Sequence, residues 1–184
     1  MKLNIPNCLT LLRILLIPLI VYLFLSGITY NRVLGSLLFL LASITDYLDG
    51  FFARYMKQHT DFGAFLDPIA DKMLVIIMLV LLITENNDIF FLIPALIIIS
   101  REFLVIAIRQ RLAEVGNNHK LGVLFISKIK TALQLSALFL LLFKESIFNI
   151  NIYQIGIYLL QLASALTLIS FFYYVKKSWN VIIK

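Results

Sequence analysis

Charge, cysteine and histidine are all scarce in this chain. Of its 184 residues only 14% are charged, against roughly a quarter in an ordinary soluble domain. A single cysteine, Cys8, excludes an intrachain disulfide and is no metal cluster by itself; it is expected to be a packing residue. The two histidines, His59 and His119, fall in polar turns, where solvated roles are expected rather than liganding ones. No polar stretch is long enough to link two domains, and no internal repeat is present. Although the net charge is +6, the basic residues form no stripe suited to nucleic acid.

The sequence is instead rich in apolar residues, at 61%. A membrane-spanning helix needs about 20 mostly apolar residues, and polar or turn-forming clusters divide the chain into six such runs. The expected helices are Asn7–Ser26, Asn31–Lys57, Asp61–Thr84, Ile89–Leu112, Leu121–Phe143 and Ile152–Val175. The expected fold is therefore an all-α integral membrane protein, one domain over residues 1–184. The first run could be taken for a signal peptide, but Arg13 interrupts it and no small-x-small cleavage pattern follows. It is read as a retained helix.

The basic residues set the orientation. With a cytoplasmic N-terminus, Lys2, Arg13, Arg54, Lys57, Arg109, Arg111, Lys120, Lys128, Lys130, Lys176, Lys177 and Lys184 all fall toward the cytoplasm, and only Arg32 and Lys144 fall on the other side. That asymmetry places both termini inside. Tyr173, Tyr174 and Trp179 beside Lys176 and Lys177 read as an interfacial anchor.

Against this background Asp46, Asp49, Asp67 and Asp71 stand out, because ionisable side chains at membrane depth are costly and mark functional sites. Asp46, Asp49, Gly50 and Ala53 lie at i, i+3, i+4 and i+7 on one face of the second helix, with Arg54 at its edge. Gly63, Asp67, Ala70 and Asp71 repeat the arrangement on the third. A turn near His59 would let the two acid faces meet across an antiparallel hairpin. Pairing with Arg54, Lys57 or Lys72 is the bland alternative, but the acids outnumber those bases at that depth. Four carboxylates sharing a partly dry space need a compensating cation to remain ionised. An all-oxygen set without cysteine suits Mg²⁺ or Mn²⁺, and four acids suffice for two ions bridging a phosphate. The small residues leave a wall where a ligand could approach the backbone, although close helix packing is their commoner use. Asp61 is expected to cap the third helix and Pro68 to kink it.

This stretch resembles, at every fixed position, the signature D-x2-D-G-x2-A-R-x8-G-x3-D-x3-D of the CDP-alcohol phosphotransferase family: Asp46, Asp49, Gly50, Ala53, Arg54, Gly63, Asp67 and Asp71. The resemblance implies a six-helix, homodimeric membrane enzyme with a cytoplasm-facing metal cavity, displacing CMP from a CDP-linked lipid or alcohol. It implies metal binding by Asp46, Asp49, Asp67 and Asp71, with Asp71 also the general base. Contacts to the CDP portion fall to Asp49, Gly50, Ala53, Arg54 and Gly63.

A second cluster concerns the attacking alcohol. Arg101 lies roughly 15 Å inside the cytoplasmic end of the fourth helix, too deep for simple snorkelling. Ser127, Lys130, Thr131 and Gln134 form a polar face on the fifth helix, with Lys128 beside it and Arg109 near the entrance. Arg101, Arg109, Lys128 and Lys130 suit the phosphate of an anionic acceptor, although Arg109, Lys128 and Arg111 also fit a topological role and Glu102 could pair with Arg109. The flanks NIPNCLTLLR, SREFLVIAIR and SKIKTALQ resemble those of bacterial family members that use glycerol 3-phosphate; Ser127 stands where a glycine is common. That resemblance implies CDP-diacylglycerol as donor, a place in the cytoplasmic (inner) membrane, and substrate-lining roles for Asn7, Thr10 and Thr131. Inositol phosphate, phosphatidylglycerol or serine are the alternative acceptors, and a cation-coupled transporter is the alternative from another class.

Overall fold

The computed structural model describes residues 5–27, 30–55, 61–86, 88–114, 125–144 and 151–182, with the side chains of Asp46, Asp49, Gly50, Ala53 and Arg54 outside the described set. Among the described residues there are six helices and no strand: α1 (Ile5–Leu25), α2 (Asn31–Tyr55), α3 (Asp61–Glu85), α4 (Ile89–Glu114), α5 (Phe125–Phe143) and α6 (Ile152–Ile182). Three segments among the described residues are long and apolar enough to cross a membrane: Asn7–Leu25, Ile89–Leu112 and Ile152–Lys176. The polar residues in α2, α3 and α5 include the site candidates.

The helices match the expected runs with small differences at their ends. α6 continues through Lys176 to Ile182, beyond the expected Val175, because lysines are good helix formers and a basic patch at a membrane surface gives no reason to unwind. α4 similarly carries on to Glu114. Pro68 lies inside α3 and Pro94 inside α4, and neither ends its helix.

The core is a single apolar cluster, in which Ile20, Phe39, Met78, Leu82, Phe91, Ile98, Leu138, Leu141 and Leu160 are sealed from solvent. Large apolar residues such as Leu15, Phe90, Phe103, Tyr158 and Phe172 face outward, as expected for a surface matched to lipid. Cys8, expected to pack inside, is exposed. It sits between the buried Asn7 and Thr10 on α1, about 100° of helix away from the inward face.

α5 packs on α6, α4 on α6, α1 on α2, α1 on α3 and α2 on α5, while α3 touches α4 and α5 only lightly. That light contact leaves a gap between α3, α4 and α5. The described parts of α2 and α3 make little direct contact, and α1 packs on both. The expected two-helix hairpin is thus buttressed by a third helix. The meeting of its two acid faces lies outside the described residues.

Candidate active site

The gap between α3, α4 and α5 is a cavity of about 600 Å³. Asp67, Pro68, Asp71 and Lys72 line it from α3, Glu102 and Arg109 from α4, Thr131 and Gln134 from α5, and Ser43 from α2. Asp67 and Asp71 are one turn apart, so helical geometry alone puts both carboxylates on one wall.

α1 holds that wall in place. Its Asn7, Thr10 and Arg13 recur at three-residue spacing and are all buried, Arg13 completely. The Thr10 hydroxyl donates to Asp67 Oδ1, and Arg13 Nη1 donates to Asp71 Oδ1 in an ion pair. The partners advance together along both helices, as they must when α1 and α3 run parallel. Asn7 and Thr10 are expected to line substrate; Thr10 is tied to the site through Asp67. Arg13 is a site residue that topology alone did not reveal. Its helical phase with Asn7 and Thr10 was the available signal.

On the opposite wall Glu102 does not pair with Arg109. Its Oε1 accepts hydrogen bonds from Arg101 Nη1 at 2.7 Å and from Lys130 Nζ at 3.1 Å. The reason is reach: Arg109 lies two turns along the same helix, whereas Lys130 crosses from α5 and Arg101 is adjacent. Lys130 is buried, and Arg101 and Glu102 are nearly so, and this three-charge cluster ties α4 to α5 beside the cavity. Arg109 lines the cavity itself. Lys128 is exposed, and its carbonyl accepts from the Thr131 hydroxyl. Thr131 lines the cavity.

Gly63 is buried near the start of α3, in helical phase with Asp67 and Ala70. Asp46, Asp49, Gly50, Ala53 and Arg54 continue α2 beyond Ser43, which lines the cavity. Among the described residues no three His, Cys, Asp or Glu side chains gather as a metal cluster. The described donors, Asp67 and Asp71, offer carboxylate oxygens only, a chemistry suited to a hard divalent cation.

A second, apolar groove of about 500 Å³ runs between α2 and α5, lined by Phe39, Leu40, Ile44, Ser136, Phe139 and Leu140. It shares Ser43, Ala132 and Leu135 with the first cavity, so the two are neighbours.

Residues 3–175 match the family model described as CDP-alcohol phosphatidyltransferase. A protein of Wigglesworthia glossinidia brevipalpis named CDP-diacylglycerol–glycerol-3-phosphate 3-phosphatidyltransferase is 41% identical over 173 residues, covering 94% of this chain and 95% of the relative. Proteins of the same name from Shigella flexneri and Escherichia coli are 41% identical over 174 residues, covering 95% of this chain and 94% of each relative. The chain, with its signature aspartates on α2 and α3 and its cavity walled by Asp67 and Asp71, belongs to the CDP-alcohol phosphatidyltransferase family.

Proposed function

We propose that this protein transfers the phosphatidyl group of CDP-diacylglycerol to the 1-hydroxyl of glycerol 3-phosphate, releasing CMP and forming phosphatidylglycerophosphate. The observation that carries the reading is one cavity lined by the carboxylates of Asp67 and Asp71 and by the cationic side chains of Lys72 and Arg109, with an apolar groove beside it. A lipid diphosphate, a phosphorylated alcohol and an acyl chain are the three chemistries those walls accommodate. The curated relatives carry the name of this activity.

Asp46, Asp49, Asp67 and Asp71 would hold Mg²⁺ or Mn²⁺, two ions in the fuller reading, which when bound offsets the charge of the diphosphate and of the departing CMP. Ser43 supports including the α2 acids, since Asp46 follows it by three residues on the same helix face. Asp49, Gly50, Ala53, Arg54 and Gly63 take the CDP portion. Asp71 removes the proton as the acceptor oxygen bonds to the phosphatidyl phosphorus and the phosphorus–oxygen bond to CMP breaks. Arg13, fixed on Asp71 Oδ1, keeps that carboxylate oriented. Arg109 and the Arg101–Lys130 cluster supply positive potential for the acceptor's phosphate, with Thr131 beside it. Lys128 contributes only at the exposed rim. The apolar groove extends about 12 Å along α5 from Ala132 to Leu140, a path for part of a donor acyl chain.

All six helices span the cytoplasmic membrane in this reading, as one domain with both termini inside, and two copies form a homodimer. The test is CMP release from purified protein and CDP-diacylglycerol across a panel of acceptors. Glycerol 3-phosphate is expected to give the highest kcat/KM, with activity lost on chelation and restored by Mg²⁺ or Mn²⁺. Preference for inositol phosphate or serine would refute the acceptor assignment.

A further inference from the structure

The cations around the cavity are not equivalent. Arg101 and Lys130 are committed to Glu102 Oε1, and neither lines the cavity. Lys72 and Arg109 do line it, from α3 and α4 respectively, and among the described residues neither makes a hydrogen bond or ion pair. Lys72 follows Asp71 directly and is only partly exposed, close enough to feel the charges of Glu102, Arg109, Arg101 and Asp71. Two like charges facing one partly dry space repel each other, and the ammonium retains three donors for a ligand. An anion with several acceptor oxygens placed between them would relieve that repulsion and use those donors. Glu102 offsets one of the two inner charges and holds both inner side chains on its carboxylate, so the cations that reach the cavity surface itself are Lys72 and Arg109.

We propose that Lys72 is a specificity-determining residue that, with Arg109, grips the phosphate of the acceptor alcohol, while Arg101 and Lys130 act through Glu102 as positioning residues in the wall behind. This rests on the phosphorylated-acceptor reading above. Lys72 stands beside the base, so a phosphate held there keeps the other end of a three-carbon acceptor near Asp71. A non-phosphorylated alcohol would leave both cations without a partner, which accounts for discrimination against it.

The experiment is steady-state kinetics of Lys72→Gln and Lys72→Arg with both substrates varied. Loss of a charge-assisted contact is expected to raise the KM for glycerol 3-phosphate in Lys72→Gln by about 10–100-fold, leaving the KM for CDP-diacylglycerol unchanged. Lys72→Arg should restore most of the acceptor affinity. An unchanged acceptor KM in Lys72→Gln, or a rise confined to the donor, overturns the proposal. A second measurement needs no variant: glycerol 3-phosphate, but not glycerol, should protect Lys72 of the wild-type protein from amine acylation, read by mass spectrometry, and absence of protection also overturns it. Wild-type protein that ignores glycerol 3-phosphate but turns over another phosphorylated alcohol refutes the acceptor reading alone, and Lys72 is then judged on the KM for that alcohol.

Discussion

Asp71 has a structural role and a chemical one, and they separate under substitution. Its Oδ1 accepts from Arg13, whose side chain is completely buried, while Asp71 itself is nearly half exposed to the cavity. Asparagine keeps a carbonyl oxygen that can accept the same bond but is no base. Asp71→Asn is therefore expected to lower kcat by about 10²–10⁴-fold with little change in melting temperature in detergent. Asp71→Ala should be equally inactive and also less stable by about 1–3 kcal/mol, because it removes a partner from a buried guanidinium. Equal melting temperatures for the two variants would remove the structural role of the pair. The chemical half of this was legible in the sequence, where aspartate spacing alone marked the residue. The structural half depends on which face of α1 meets α3, and spacing within one helix carries no information about its neighbour's rotation.

At the scale of the helices, periodicity and punctuation located all six, because a membrane-length apolar run between polar turns leaves few alternatives. Contacts across the cavity were not legible. Glu102 has Arg109 at i+7 in the sequence, yet bonds to Arg101 at i−1 and Lys130 on α5. Close helix approach is similarly hidden until the partner is known. Gly156 on α6 faces Leu141 on α5 so closely that an added Cβ would lie 2.9 Å from Leu141 Cγ and 3.2 Å from its backbone nitrogen. The backbone atom has no freedom to retreat. Gly156→Val is expected to destabilise the α5–α6 pair by about 1–3 kcal/mol, the range for overpacking. Helix propensity favours valine over glycine by only a few tenths of a kcal/mol and does not reverse the sign. A lowered melting temperature with unchanged turnover per folded molecule is the expected result, since Gly156 lines neither cavity. Unaltered stability would show that α5 and α6 separate without cost.

For the whole molecule, the two cations that broke the inside-positive pattern turn out to be tied down together. Arg32 at the start of α2 and Lys144 just after α5 both pair with Glu85 at the end of α3. Arg32 also lies over the Phe24 ring and Lys144 over that of Tyr153, whose hydroxyl accepts from Asn86. These contacts gather α1, α2, α3, α5 and α6 at one end of the molecule. The cavity residues Asp67 and Arg109 lie toward the opposite ends of their helices. Such partly exposed pairs add only about 0–1 kcal/mol each; on the proposed orientation their larger effect is to offset basic charge on the side where it is disfavoured. On the proposed orientation the Glu85 end faces outward and the cavity mouth faces the cytoplasm, the side on which the proposed acceptor, glycerol 3-phosphate, would enter. Cysteine labelling tests this directly, once the exposed native thiol is removed by Cys8→Ser. In that background Asp88→Cys, beside the Glu85 cluster, should react with a membrane-impermeant maleimide in intact spheroplasts, whereas Trp179→Cys near the end of α6 should react only after lysis. The reverse pattern would invert the molecule and place the cavity mouth away from a cytosolic acceptor.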